Sequence, residues 1–245
     1  MANKGAPLAI GLAALGLVVL GGYYVLTQPE PVPEATPEPA PETASSAPAA
    51  PEAEPQPEPV SPLPGVGAIP GDTPGPFLTI AVAGQQGAGE IVIDLAAELA
   101  PGHAAQLTAL AGQGFYDGVY FHRVIDGFMA QTGDGVHGKV QPEWEAGAMR
   151  RAGTGGSDRD NLKAEFSDIP FERGIVGMAR SQSEDSANSQ FFIMFDEASF
   201  LNGQYTVVGR VTQGLDVLDR IKRGDSSTFQ VTGEPDRMVT VRVTE

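Results

Sequence analysis

The chain has 245 residues, 31 acidic against 15 basic side chains, a formal net charge of −16 and no cysteine. The missing thiols exclude a disulfide scaffold and a thiolate metal site, and the acidic balance argues against a polyanion-binding role. Proline is unevenly placed: residues 28–76 hold 16 of the 21 prolines, eight acids and no Lys or Arg, so the charge divides as +1 over 1–27, −8 over 28–76 and −9 over 77–245.

Three regions follow from this division. Residues 1–27 read as an N-terminal transmembrane anchor or signal, 28–76 as a Pro/Glu/Ala-rich disordered linker, and 77–245 as one folded domain large enough for a proper core. No charged side chain stands between Lys4 and Glu30, and the apolar run Leu8–Leu26 at about 1.5 Å per residue approaches the ~30 Å of a bilayer core. A cleaved signal has a shorter apolar region of about 7–15 residues and a small-residue site directly after it, which favours an uncleaved anchor. Tyr23 and Tyr24 stand where an interfacial aromatic belt is expected, and Lys4 orients the N-terminus inward. Both readings export the domain. The linker lacks the large apolar side chains needed to offset its conformational entropy. As polyproline II it reaches about 150 Å, and as a flexible coil about 40 Å.

Within the domain, Phe77–Val82 and Glu90–Leu95 are β-rich runs joined by a glycine-rich turn, with Ile91 and Ile93 alternating as in a half-buried hairpin. Pro101 can open a helix whose apolar face is Ala104, Leu107 and Ala111, ending near Gly112 and Gly114. Short strands are expected at Tyr120–Val124, Met129–Thr132, Ile175–Ala179, Gln190–Phe195 and Thr206–Val211. A second helix is expected over Gly214–Arg223 and a last strand over Met238–Val243. This pattern suggests a mainly β fold, a closed antiparallel barrel with helices near its ends, and no repeat of 20–50 residues recurs.

The histidines are His103, His122 and His137; none forms a His-x-x-x-His pair, so no metal centre is expected. No G-x-S-x-G elbow is present, and Gly153-Thr-Gly-Gly156 lacks the Lys of a phosphate cradle and reads as a surface loop. Two apolar stretches carry isolated polar residues: Phe121–Asp134 holds Arg123 and Gln131 among Phe and Met, and Ser189–Phe195 holds Gln190. By composition these are core strands, yet a buried arginine is rarely tolerated without a partner or a task.

Phe121–Asp134, Gly177–Arg180, Asn188–Ile193 and Phe200–Arg210 together resemble the signature blocks of the cyclophilin peptidyl-prolyl isomerases, in order and spacing, with Ser186–Phe192 most similar to the bacterial branch. The resemblance implies a closed eight-stranded antiparallel barrel capped by two α-helices, acting without a cofactor on X-Pro bonds. It implies that Arg123 binds the proline carbonyl and favours the pyramidal nitrogen of the twisted amide. Phe128, Met129, Phe192 and Leu201 would grip the ring, and Gln131 would hold both Arg123 and the substrate backbone. Ala179 and Arg180 would meet the preceding residue through their backbones, and Gln190 would contact the same segment. His122 is expected to be a structural, hydrogen-bonded histidine.

Four departures from the family pattern stand out. Phe200 replaces a frequent Trp and Tyr205 a frequent His, which keeps an aromatic wall but implies weak cyclosporin binding. Thr132 replaces a Gly where the backbone was expected to need freedom, and Arg180 replaces a common Asn. Proline-containing polypeptides, unfolded or exported, are the expected partners, with the membrane reached through the N-terminal helix and nucleic acid excluded. The expected setting is a single-pass protein of a bacterial inner membrane with its domain on the periplasmic or outer face. The alternative is a weakly catalytic or non-catalytic proline-peptide-binding chaperone module.

Overall fold

The computed structural model describes residues 69–84, 88–139 and 151–244; the expected anchor and the linker up to residue 68 lie outside them. Among the described residues no helix is long and apolar enough to cross a membrane. The elements are β1 (Phe77–Ala83), β2 (Gly89–Leu95), α1 (Pro101–Gly112), β3 (Val119–Tyr120), β4 (Arg123–Ile125), β5 (Met129–Thr132), β6 (Ile175–Met178), β7 (Phe191–Met194), β8 (Val207–Gln213), α2 (Leu215–Arg220) and β9 (Arg237–Thr244). The strands form one antiparallel sheet in the order β3-β9-β1-β2-β8-β6-β7-β5-β4.

The closed eight-stranded barrel is thereby corrected to a curled nine-stranded sheet whose end strands, β3 and β4, do not pair with each other. The reason lies in the run expected as a single strand over Tyr120–Val124. Val119 and Tyr120 pair with Met238 and Arg237 of β9, and the Phe121 N–H continues to the Asp236 carbonyl at 2.9 Å. At His122 the N–H turns instead to the Gln131 carbonyl, and Arg123 pairs with Gln131 of β5. One register cannot serve both edges, so the strand divides, and its two halves join the ends of the sheet through the backbone.

Period-two alternation separates two apolar clusters. Leu78, Ile80 and Val82 of β1 and Ile91, Ile93 and Leu95 of β2 enter the main core, where α1 adds Ala104, Leu107 and Ala111. In β5 and β7 the alternate residues part company: Ala130, Phe191 and Ile193 join that core, whereas Met129, Phe192 and Met194 face a second cluster with Phe171, Leu201 and Val207. That second cluster floors the candidate site. Helix α1 starts at Ala100-Pro101 with no capping side chain of its own. Glu165 supplies the cap from a distant loop, accepting the Gly102 and His103 N–H groups at 3.1 Å each and pairing with His103 Nδ1 at 2.6 Å.

Residues ahead of Phe77 also pack against the domain. Ile69 is buried in the second cluster. The Thr73 N–H and hydroxyl donate to the Glu98 carboxylate at 3.0 and 2.7 Å, the Gly75 N–H donates to Asp94 Oδ1 at 2.7 Å, and the Leu95 N–H donates to the Pro76 carbonyl at 3.0 Å. The strap Ile69–Pro76 thus lies against an acidic pair with Arg210 as its cation. Burial, and then the Asp94 and Glu98 carboxylates, push Asp72 up to about 6 against the opposing pull of Arg210. A carboxyl raised above its unfolded value stabilises the fold while protonated and loses that contribution as pH rises through 6. Asp72→Asn is therefore expected to raise the thermal midpoint at about pH 7.5 and to change it little at about pH 4.5. Calorimetry checks this; equal effects at both pH values would contradict it.

Candidate active site

Strand pairing sets the site. Arg123 lies opposite Gln131 across β4 and β5, and Gln131 lies opposite Phe192 across β5 and β7. Arg123, Phe128, Met129, Gln131, Ala179, Arg180, Phe192, Phe200, Leu201 and Tyr205 line one pocket of about 300 Å³. Met129, Phe192 and Leu201 form its buried apolar part. The Phe192 ring stacks on Phe171 at 5.8 Å and meets the Tyr205 ring edge-on at the same distance, and Phe128 and Phe200 approach to 5.5 Å. Gly177 makes this floor possible, because a Cβ there would come within 2.5 Å of the Phe192 ring and 2.6 Å of the Phe171 ring. Phe200 is 65% exposed and forms the rim.

Arg123 is half-buried, and among the described residues no carboxylate forms an ion pair with it. Burial lowers its pKa, yet a guanidinium this basic remains a cation. Its Nη1 donates to Gln131 Oε1 at 3.3 Å. The Gln131 amide donates to Gln190 Oε1 at 2.9 Å, and the Gln190 amide donates to the Gly153 and Gly155 carbonyls at 3.0 and 2.8 Å. The N–H groups of those same glycines donate to Asp134 Oδ2 at 2.8 and 2.9 Å, while Asp134 Oδ1 accepts from Val136 and His137. Burial pushes the Asp134 carboxyl up, and the four N–H groups together hold it below the usual carboxylate range. An ionised aspartate thus anchors a loop that orients one glutamine, which orients the next, which orients the arginine.

The family model described as "Cyclophilin type peptidyl-prolyl cis-trans isomerase/CLD" matches residues 77–243. The chain belongs to the cyclophilin family. The "Probable peptidyl-prolyl cis-trans isomerase" of Brucella suis is 53% identical over 151 residues, 62% of this chain and 76% of that one. Peptidyl-prolyl cis-trans isomerase B of Bacillus subtilis is 39% identical over 138 residues, 56% of this chain and 85% of that one. A cyclophilin from Hirschia baltica has a similar fold, with a TM-score of 0.53 at 25% identity over 69% of this chain and 74% of that one. A Cryptosporidium parvum cyclophilin crystallised in the presence of the dipeptide Ala-Pro gives a TM-score of 0.55 at 23% identity, over 69% and 99%. Residues 77–243 are a cyclophilin-type peptidyl-prolyl cis-trans isomerase domain.

Four expectations for this cyclophilin are refined by the geometry. Gln190 lines the adjoining polar cavity rather than the ring pocket, and both ends of its amide are engaged, by Gln131 and by the Gly153 and Gly155 carbonyls. The Ala179 N–H already donates to the Gln190 carbonyl at 2.9 Å, so the Ala179 backbone has only its carbonyl to offer. The Arg180 guanidinium donates to the carbonyls of Gln204, Ser181 and Gln182 and lies over the Tyr205 ring at 4.6 Å, serving as a wall. Thr132 is buried in ordinary strand and donates its hydroxyl to the Tyr120 carbonyl; the positive φ of +92° falls on Gly133. There a Cβ would come within 2.5 Å of the Ser189 carbonyl oxygen.

Sequence reasoning named Gln131, Ala179, Arg180 and Gln190 on the polar side of the site but missed the loop and the asparagine that wall it. A second cavity of about 440 Å³ adjoins the pocket, sharing Gln131, Ala179 and Arg180 and walled by the Gly153–Gly156 loop, Asn188 and Gln190. Asn188 ties that wall, its Oδ1 accepting from the Ser157 N–H and hydroxyl at 2.7 and 2.8 Å. Among the described residues no group of His, Asp and Glu could hold a metal ion. His122 is buried beside this network, with the Tyr120 backbone and the Gln190 side chain as its polar neighbours. Burial pushes its pKa down to about 4, with Asp134 pulling the other way. A base depressed below its unfolded value of 6.5 favours the fold above that pH and loses its contribution as pH falls toward 4. Denaturant unfolding between about pH 7 and pH 4 is expected to lose up to about 3 kcal/mol from this source. His122→Phe should flatten that slope; a slope unchanged by the substitution would contradict the assignment.

Proposed function

We propose that this cyclophilin accelerates rotation about X-Pro bonds in exported polypeptides, and that Arg123 is the group that stabilises the twisted amide. The observation carrying this reading is a guanidinium with no carboxylate partner among the described residues, fixed at the wall of a pocket lined by Phe128, Met129, Phe192 and Leu201. An X-Pro bond rotates over tens to hundreds of seconds because twisting it removes amide resonance. Reaching about a millisecond requires roughly 6–7 kcal/mol off the barrier. No proton transfer or covalent bond is needed, only stronger binding of the twisted amide than of the planar one.

Phe128, Met129, Phe192 and Leu201 hold the ring, while Gln131 fixes the arginine and reaches the substrate backbone. The Ala179 carbonyl and the adjoining polar cavity receive the residues before the proline. Arg123 donates to the proline carbonyl and so favours the pyramidal nitrogen. Binding of proline-containing segments is supported by the similarly folded relative crystallised with Ala-Pro. The apolar run Leu8–Leu26 supports a membrane-anchored, exported setting on the periplasmic or outer face. Phe200 supplies no indole N–H at the rim, which supports weak cyclosporin binding.

The direct test is cis/trans exchange of an Ala-Pro peptide followed by NMR, with the full chain and its Arg123→Ala variant. A lost charged hydrogen bond predicts a fall of about 10–100-fold in catalysed exchange with the fold intact. Absence of exchange with well-folded wild type would overturn the enzymatic reading. Peptide binding indifferent to the substitution would favour the chaperone module.

A further inference from the structure

We propose that Phe229 selects the residue that follows the proline, favouring a large apolar or aromatic side chain there; this rests on the assignment of Arg123 to the proline carbonyl. Phe229 is the single non-glycine with positive φ among the described residues, at +59°. An aromatic residue resists the left-handed region, so a chain that places one there is held by its surroundings, and such outliers gather at functional sites. Core packing does not supply the reason. Phe229 is 39% exposed and belongs to neither apolar cluster.

The surroundings that hold it are polar and local. Asp225 Oδ1 accepts the Ser227 and Thr228 N–H groups at 2.9 and 3.1 Å, and the Phe229 N–H donates to the Asp225 carbonyl at 2.7 Å. This turn is latched to β4 on either side of Arg123. The Val124 N–H donates to the Phe229 carbonyl at 3.1 Å, the Gly224 N–H to the Val124 carbonyl at 2.8 Å, and the Val231 N–H to the His122 carbonyl at 3.2 Å. Gly224 allows the approach, since a Cβ there would collide with the Phe229 carbonyl oxygen. The result is a ring face 5.9 Å from the Arg123 guanidinium carbon, while Gln131 holds the guanidinium through Nη1.

Chain direction gives this placement its meaning. The carbonyl that Arg123 binds belongs to the peptide unit leading from the proline to the next residue. The side chain of that residue therefore emerges beyond Arg123, and Phe229 lies beside Arg123 without being part of the pocket that grips the ring. An exposed aromatic face fixed there offers a packing surface to a Phe or Leu and nothing to a Gly.

The test compares kcat/KM of the full chain for two peptides that differ only after the proline, Ala-Ala-Pro-Phe and Ala-Ala-Pro-Gly, with wild type, Phe229→Gly and Phe229→Tyr. Glycine suits a positive φ, so Phe229→Gly removes the ring and spares the turn. Wild type is expected to favour the Phe peptide about 5-fold, Phe229→Gly to bring the ratio near one, and Phe229→Tyr to restore it. A preference that survives Phe229→Gly would overturn the proposal. So would an equal loss on both peptides, which would mean that the ring acts only by steadying Arg123. Wild type that accelerates neither peptide would overturn the isomerase reading and this one with it.

Discussion

The hydrogen bond from Arg123 Nη1 to Gln131 Oε1 is the contact on which the site depends. A long cationic side chain in water samples many rotamers, and each is solvated well enough that a weak acceptor gains little from it. Here the guanidinium is half-buried beside apolar rings, with no carboxylate of the described residues to neutralise it and one amide oxygen to direct it. That amide is directed in turn by Gln190, and Gln190 by two glycine carbonyls of a loop whose N–H groups close on Asp134. The buried negative charge of Asp134 is thus satisfied by backbone donors rather than by the arginine. The cation at the pocket and the structural anion are kept apart, and neither neutralises the other.

The sheet serves this arrangement through alternation. In β5, Met129 and Gln131 fall on the side away from the main core, so the strand that closes the core with Ala130 also presents a hydrophobic grip and a polar clamp. In β7, Phe192 does the same between Phe191 and Ile193. The room beneath the Phe192 ring comes from the missing side chain of Gly177 on the neighbouring strand β6. The pocket therefore needs no separate scaffold; it is the outer face of the strands whose inner face is the core.

Much of this was legible in the sequence. The hairpin of β1 and β2, the helix opened by Pro101 and the apolar face of that helix follow from period and capping rules alone. The pocket residues did not follow from such rules, since Phe and Met in a strand look like core; the resemblance of whole blocks brought them together. What the sequence hid is what depends on long-range polar contacts. Glu165 caps α1 from 62 positions away, Asp134 reaches across to Gly153 and Gly155, and the Gln190 amide is tied between Gln131 and those two glycine carbonyls. No local pattern marks a residue as the partner of a distant backbone group. The break at Phe121-His122 was hidden for a similar reason, because only the pairing of two different edges requires it.

The hydrogen bonds give Gln190 a route to Arg123 that passes through Gln131, and so an effect on isomerisation through that residue. A double-mutant cycle of Gln131→Ala and Gln190→Ala, read as kcat/KM for Ala-Pro isomerisation, tests it most directly. A relay predicts that each substitution lowers turnover and that the pair together lowers it no further than Gln131→Ala does alone. Losses that multiply in the double variant would show two independent contributions and contradict the account.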